Sequence, residues 1–375
     1  MPKLNNPFVM YGYKGEEYFC DRRKETEKMM RALKGERNIT LVAPRRMGKT
    51  GLIHHLFEQI RREEPDTRCF YIDIFHTKNL EQFVRLLANT VVGGLDSFSQ
   101  SALRKLQEFF SRWRPSITFD EITGAPTVSL EFEPSASNET LKQIFDYIGQ
   151  SDHRCIIAID EFQQILNYPQ TGVEALIRSY IQFLPNAMFI FSGSQQHLMQ
   201  QMFMSANRPF FQSSMVMTLG SIDEEEYLTF ANQHLQAQQR SIDKDTFAHI
   251  FQKTDGITWY VQAILHGIFD HQDMTIDDRL VDIVINELID EQSAAYQNYC
   301  AWLTENQLAL IKAVAKERIV ASPLRQGFIK KHNLPATSSV KTALKSLEDK
   351  QLIVCQPNGY VISDIFFGLW LKKHD

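Results

Sequence analysis

The stretch Ala43-Pro44-Arg45-Arg46-Met47-Gly48-Lys49-Thr50 decides the fold of this chain. It follows an apolar, strand-like run over residues 39–42 and precedes a helix-like run over residues 52–60. In a strand–loop–helix of this kind, backbone N–H groups gather at the positive end of the helix, where they bind phosphate. The stretch therefore predicts a phosphate-binding loop.

The side chains of the loop predict how a nucleotide is held. Lys49 would reach the β- and γ-phosphate oxygens, and the Thr50 hydroxyl would bind Mg²⁺. Gly48 stands where the backbone comes nearest to phosphate, whereas Ala43 replaces the glycine that usually opens such a loop. The residues predicted to contact the nucleotide are Ala43, Pro44, Arg45, Arg46, Met47, Gly48, Lys49, Thr50 and Gly51. For the two loop arginines, exposure to solvent or contact with a partner is an equally good explanation.

The first half of the chain alternates short apolar runs with helical patterns, the order required by a parallel sheet with crossover helices. The predicted strands cover residues 38–42, 69–75, 155–160, 187–192 and 215–219. A helix is predicted from residue 80 to about residue 113, and alternating apolar residues predict an inserted β-hairpin near residues 115–135. The fold class is therefore α/β with a parallel sheet.

The second half of the chain is predicted to be helical, and its end is predicted to combine three helices with a hairpin. After helices over residues 303–316 and 324–332, a third helix over 339–350 is predicted to be capped by Thr337 or Ser338. A hairpin over residues 352–362 follows, which completes a winged-helix order. The predicted domains are a sheet core over residues 1–220, a helical lid over residues 221–299 and a winged helix over residues 300–375.

A second motif lies at the end of the strand over residues 155–160. Asp160 ends this apolar strand and Glu161 follows it directly. Asp160 would hold Mg²⁺ together with Thr50, which is the Walker B role. Glu161 would polarise the attacking water, because a carboxylate beside the γ-phosphate can accept its proton.

Polar residues after the next strand are further candidates. Ser192, Ser194 and Gln195 stand where some ATPases place a polar group beside the γ-phosphate, and the sequence does not choose among them. Arg208 lies between the fourth and fifth predicted strands, where an arginine can reach a γ-phosphate in its own site or in a neighbouring copy. An exposed loop arginine is the alternative explanation.

Composition and charge narrow the class of protein. The hydrophobic fraction of 43% and charged fraction of 23% are ordinary for globular proteins. Five scattered cysteines, without metal-type spacing, predict reduced thiols and a cytoplasmic protein. No apolar run is long enough to span a bilayer, and the N-terminus lacks a signal-peptide pattern. Residues 300–375 hold eleven basic against six acidic side chains, although the whole chain has a net charge of −5.

The excess of basic residues at the end of the chain is compatible with two kinds of binding partner, DNA or another protein. The predicted recognition helix would expose Lys341 and Lys345, which suit the phosphates of double-stranded DNA, with little scope for reading bases. Contact with a protein is the alternative, and DNA is slightly favoured.

The motifs together resemble the archaeal-type P-loop ATPases, a group of the signal-transduction ATPases with numerous domains (STAND) that is related to AAA+ and origin-recognition ATPases. The matching segments are residues 19–25, 44–50, 160–163 and 192–194, and the aromatic segment that ends in Trp370. The resemblance implies an AAA+-like sheet, a helical lid and a winged helix, with ATP and Mg²⁺ as ligands. It also implies that the segment from Phe19 to Arg22 flanks adenine.

This chain departs from the family pattern at three positions. Asp21 replaces a glycine of the lead-in segment, Ala43 replaces the first loop glycine, and Thr258 stands where the lid element usually has proline. In the family, that proline region touches the nucleotide. We therefore predict an ATP-driven molecular switch with slow Mg²⁺-dependent hydrolysis. The alternative is a nucleotide-gated DNA-binding or scaffold protein with negligible turnover, and a homo-oligomer stays open for either.

Overall fold

The computed structural model describes residues 4–95, 114–119, 126–131, 136–272, 274–356 and 358–374. The chain divides into two compact units. The sheet unit consists mainly of residues 9–230, joined by residues 257–259. The helical unit consists of residues 6–8, 231–256 and 260 to the C-terminus.

The sheet unit is built on five parallel strands in the order β2-β5-β6-β1-β7. The strands are β1 (Ile39–Val42), β2 (Arg68–Asp73), β5 (Cys155–Asp160), β6 (Ala187–Gly193) and β7 (Met215–Thr218). All five lie where the sequence predicts them, within two residues at each end. This confirms the predicted parallel α/β fold.

Helices cover both faces of this sheet, so its central strands are mostly apolar. The helices are α1 (Arg23–Lys34), α2 (Lys49–Glu63), α3 (Leu80–Leu95), α4 (Ser137–Gly149), α5 (Val173–Ile181) and α6 (Gln196–Met204). Alternate residues of β5 face opposite sides: Ile157 joins one apolar cluster and Ile156 the other. Two short 3-10 helices, Glu16–Tyr18 and Phe162–Asn167, flank the sheet.

The segment between β2 and β5 contains an antiparallel pair of strands. These are β3 (Arg114–Phe119) and β4 (Pro126–Glu131), with Ile117 opposite Val128. They fall inside the region where the sequence predicts a hairpin. Of the helix predicted over residues 80–113, the structure describes the first part as α3 (Leu80–Leu95). Residues 96–113 lie outside the described residues.

The helical unit contains two groups of elements. The first comprises the end of α7 (Glu224–Leu235), α8 (Lys244–Thr254), α9 (Thr258–Asp270) from residue 260 onward, α10 (Asp278–Glu291) and α11 (Ser293–Ala301). The second comprises α12 (Glu305–Glu317), α13 (Gln326–Lys331), α14 (Thr337–Asp349), β8 (Ile353–Gln356), β9 (Gly359–Ile362) and α15 (Ile365–Lys373). Three helices followed by the antiparallel β8–β9 pair confirm the winged-helix prediction.

The predicted cap of the third winged-helix helix was wrong. Thr337 is already helical, and the residue before it, Ala336, is the N-cap without a side-chain hydrogen bond. The backbone explains the shift, because the Ala336 carbonyl accepts hydrogen bonds from the N–H groups of Ser339 and Val340. Within the described residues, none of the helices is both long and apolar enough to cross a membrane.

Candidate functional site

The loop between β1 and α2 has the backbone that phosphate binding requires. Gly48 has φ of +90° and directly precedes α2, and Arg46 also lies in the left-handed region, with φ of +67°. Glycine adopts that conformation without steric cost, whereas arginine does so at the expense of strain. The first N–H groups of a helix lack intrahelical acceptors. The loop therefore directs the N-terminus of α2 and its first N–H groups toward one place, which suits an anion.

Lys49 is folded back over this loop. Its side chain is 6% exposed, and Nζ donates hydrogen bonds to the carbonyl oxygens of Ala43, at 3.2 Å, and Pro44, at 3.3 Å. Burial lowers the pKa of Lys49, although Glu161 and Asp160 act in the opposite direction. The free protein therefore pays to keep this cation buried, and an anionic ligand would offset that cost.

The carboxylate of Asp160 lies beside the Thr50 hydroxyl, as the sequence predicts for a shared metal site. Thr50 Oγ1 donates to Asp160 Oδ2 at 3.1 Å, and the Glu161 N–H donates to Oδ1 at 3.0 Å. A third donor was missed by the sequence analysis: the Tyr71 hydroxyl donates to Oδ2 at 2.6 Å. Burial, with Asp160 adding to it, raises the pKa of Tyr71, so the phenol stays protonated. The next residue on the same face of β2, Asp73, also has a pKa raised by burial.

Glu161 is held at the ends of two neighbouring strands. Its backbone is left-handed, with φ of +53°. Its Oε2 accepts hydrogen bonds from Ser194 Oγ at 2.7 Å and from Gln163 Nε2 at 2.5 Å. Of the polar candidates at the end of β6, the structure thus brings Ser194 to Glu161. Ser192 is fully buried and its hydroxyl has no partner within the described part of the chain.

Gly193 makes this arrangement sterically tight. A methyl group at this position would lie 2.3 Å from Gln163 Oε1 and 2.6 Å from Met199. We expect Gly193→Ala to lower the free energy of unfolding by about 1–3 kcal/mol, because the buried neighbours must move. Urea unfolding measures this. Gly220→Ala is the matched control, since its added methyl group meets no described atom within 4 Å. Equal stabilities of the two variants would contradict the prediction.

The lead-in segment packs against the same loop. Arg22 is 3% exposed, and it donates to the Met47 carbonyl at 3.2 Å and to Glu25 at 3.0 Å. Asp21 has φ of +48° and Arg22 has φ of +64°, so the turn forms although the family glycine is absent. Phe19 is stacked on His55, with ring centroids 4.5 Å apart.

The start of α9 also contacts the loop. Thr258 Oγ1 donates to the Met47 carbonyl at 3.2 Å, and the Trp259 N–H donates to the Arg46 carbonyl at 3.0 Å. The Arg46 guanidinium lies 4.6 Å from the centre of the Trp259 ring. A proline at position 258 would lack this hydroxyl, so the departure from the family pattern adds a hydrogen bond here.

The other two arginines have partners of their own. The Arg45 guanidinium lies 5.6 Å from the centre of the exposed Phe75 ring. Arg208 forms an ion pair with Glu174 of α5. Burial raises the pKa of Glu174, and Arg208 opposes this shift. The structure therefore places Arg208 against a carboxylate.

The residues at this site suit a nucleotide with Mg²⁺. The hydroxyl of Thr50 and the carboxylate of Asp160 are hard oxygen donors, which Mg²⁺ prefers, and Mg²⁺ commonly takes one or two protein oxygens beside substrate phosphates. Lys49 supplies a buried cation above the loop. The parallel sheet, the loop and the paired acidic residues define a P-loop ATPase with a C-terminal winged helix.

Comparison with known families agrees with that class. Residues 19–264 match the model of an ATPase domain predominantly from Archaea, so the chain belongs to that family. Residues 294–373 match the model described as a probable winged helix domain. No curated protein matches the chain.

Among the solved structures that match, two show the likeness over the whole chain. The Walker-type ATPase PABY2304 of Pyrococcus abyssi is 17% identical, with 98% of this chain and 99% of that chain covered and a TM-score of 0.61. The ORC2 protein of Aeropyrum pernix, solved as ADPNP-ADP complexes, is 14% identical, with 98% of each chain covered and a TM-score of 0.59. At these identities the likeness shows the fold alone.

Proposed function

We propose that the protein binds ATP with Mg²⁺ and hydrolyses it slowly as a nucleotide-driven switch. The observation that carries the proposal is the convergence of Thr50, Asp160 and Glu161, with Ser194 bonded to the glutamate. The nucleotide complexes of the similar ORC2 protein support an adenine nucleotide as the ligand.

Each residue has a proposed role. Lys49 binds the β- and γ-phosphates, and the N–H groups of the loop bind the phosphate oxygens between them. Thr50 and Asp160 hold Mg²⁺, which when bound neutralises charge on the phosphate oxygens. Glu161 accepts the proton of the attacking water, and Ser194 orients the Glu161 carboxylate. The other residues proposed to border the nucleotide are Phe19, Arg22, Ala43, Pro44, Arg45, Arg46, Met47, Gly48, Gly51 and Ser192.

Arg208 belongs to the proposal under one condition. Its guanidinium is paired with Glu174, so it can reach a phosphate only when that ion pair opens. We keep the predicted domains as well: a core over residues 1–220, a lid over residues 221–299 and a winged helix over residues 300–375. The five free cysteines support a reducing, cytoplasmic location.

Phosphate release from ATP by the purified chain tests the enzymatic part of this proposal. We expect slow release that requires Mg²⁺ and stops when the metal is chelated. GTP, tested in parallel, measures the choice of base. ATP binding without any Mg²⁺-dependent release would leave the nucleotide-gated binding protein as the better account.

We also propose that the winged helix contacts duplex DNA. Lys341 and Lys345 are exposed one turn apart on α14, and Thr342 is exposed between them. These side chains suit phosphate oxygens. A neighbouring protein is the alternative partner for this surface.

Replacing Lys341 and Lys345 together by alanine is expected to weaken binding to random duplex DNA. Each lost phosphate contact should lower the slope of log K against log salt by about 1 unit, or about 2 units for the pair. Fluorescence anisotropy at several salt concentrations measures this slope. Lys24→Ala with Lys28→Ala is the matched control, since both lysines are exposed one turn apart on α1. Unchanged binding in the α14 variant would favour a protein partner.

A further inference from the structure

The Asp160 carboxylate, at the end of β5, is buried and accepts hydrogen bonds on both of its oxygens. It is 4% exposed and accepts three hydrogen bonds from described residues, one on Oδ1 and two on Oδ2. The backbone N–H of Glu161 and the hydroxyl of Thr50 belong to the motifs themselves. The remaining donor, Tyr71, comes from the neighbouring strand and belongs to neither motif.

The register of the sheet explains how Tyr71 reaches this carboxylate. β2 and β5 run parallel, with Tyr71 opposite Ala158 and Asp73 opposite Asp160. Side chains alternate along a strand, so Tyr71 and Asp160 lie on the same face of the sheet, offset by two residue pairs. A phenol is long enough to bridge that offset, and its hydroxyl comes to 2.6 Å from Asp160 Oδ2.

The Tyr71 ring is itself fixed in place. It is half-buried among the apolar side chains on the α1–α2 side of the sheet. The His54 ring of α2 packs against it, with centroids 4.8 Å apart. A hydroxyl on a fixed ring can hold a carboxylate in one orientation, whereas a hydroxyl on a mobile side chain cannot do so at low entropic cost.

We propose that Tyr71 is a positioning residue for the Mg²⁺ site, and this inference rests on the metal role proposed for Asp160 and Thr50. Thr50 must turn an oxygen lone pair toward the metal, while its hydrogen continues to point at Asp160. Tyr71 is not itself a proposed metal ligand, so its hydroxyl can keep its hydrogen bond to Asp160 when the metal binds. Partners that orient metal-binding carboxylates typically change metal affinity 10–100-fold when they are lost.

The test is the Mg²⁺ dependence of nucleotide binding by the full chain. A fluorescent ATP analogue is titrated at increasing Mg²⁺, and separately with the metal chelated. Tyr71→Phe keeps the ring and removes only the hydroxyl. We expect this variant to need about tenfold more Mg²⁺ for half-maximal effect, with metal-free binding of the analogue within about twofold of wild type.

Tyr168→Phe is the matched control. Tyr168 is also buried in the sheet unit, and its hydroxyl bonds to Thr77 Oγ1 at 2.5 Å. The Tyr168→Phe variant should have the same Mg²⁺ requirement as wild type. Melting temperatures of both variants show whether each one is folded. The inference is overturned if Tyr71→Phe keeps the wild-type Mg²⁺ requirement. It is also overturned if metal-free binding weakens by the same factor, since that is a general structural effect. Wild-type binding that ignores Mg²⁺ would instead overturn the metal site itself.

Discussion

Replacing Glu161 by glutamine is expected to slow ATP hydrolysis by about a thousandfold, within the range of about 10²–10⁴ that general acid–base catalysis contributes. Glutamine has nearly the same shape and can still accept the hydrogen bond from Ser194, but it cannot take a proton from water. Binding of ATP should stay within about threefold of wild type, because phosphate affinity depends on Lys49 and the loop. Steady-state phosphate release and equilibrium binding of ATP measure the two effects.

A control separates this effect from any general consequence of removing a carboxylate. Glu27→Gln makes the same change at an exposed position of α1, and it should hydrolyse ATP at the wild-type rate. A Glu161→Gln protein as active as this control would remove Glu161 from the chemistry. The proton would then have to go elsewhere, and the assignment of the site would need revision.

Replacing Lys49 by methionine is expected to weaken ATP binding by about a hundredfold or more. A hydrogen bond to a charged group contributes about 1.5–3 kcal/mol, and Lys49 is proposed to make such bonds to two phosphates. Titration of a fluorescent ATP analogue measures this loss. Lys28→Met, at an exposed position of α1, is the matched control and should bind ATP normally.

The same substitution should not destabilise the free protein. Burial lowers the pKa of Lys49, so the folded state disfavours its charged form at neutral pH. Its contribution to stability therefore improves as pH rises from the lowered folded pKa toward the unfolded value. Methionine carries no charge, so we expect the melting temperature of the unliganded variant to stay within about 2 °C of wild type. A marked fall in melting temperature would show that lost binding reflects misfolding.

The parts of the site that lie within one local pattern were predictable from the sequence. The loop around Lys49 and the acidic pair Asp160–Glu161 each follow a short apolar strand, and such runs mark strands that are covered on both faces. The carboxyl ends of parallel strands meet at one edge of a sheet. The sequence therefore placed Thr50 and Asp160 together, and the structure brings them within 3.1 Å.

The contacts that join separate segments were not predictable. Tyr71 reaches Asp160 only because of the register between β2 and β5, and a single sequence does not state that register. The choice of Ser194 over Ser192 depends on where β6 ends, because Ser192 lies inside the strand whereas Ser194 follows it. Thr258 stands where the family pattern has proline. The role of its hydroxyl could be recognised only from its hydrogen bond to the Met47 carbonyl.

Two other residues show further limits of local patterns. Thr337 and Ser338 are good capping residues, yet local backbone hydrogen bonds start the helix at Thr337, so the N-cap is Ala336, which has no capping side chain. Arg208 was singled out by its place between two strands. Its ion-pair partner, Glu174, lies on a helix distant in sequence, and no pattern around residue 208 predicts that partner.

A single-turnover experiment tests the central claim most directly, namely that Glu161 and the loop around Lys49 form one ATP-hydrolysing site. Excess protein is mixed with γ-labelled ATP and Mg²⁺, and cleavage of the bound nucleotide is followed in the wild type and in Glu161→Gln. We predict that wild type cleaves its bound ATP, whereas the variant retains ATP intact about a thousandfold longer. Cleavage at the same rate in both proteins, or intact ATP in both, would contradict the account.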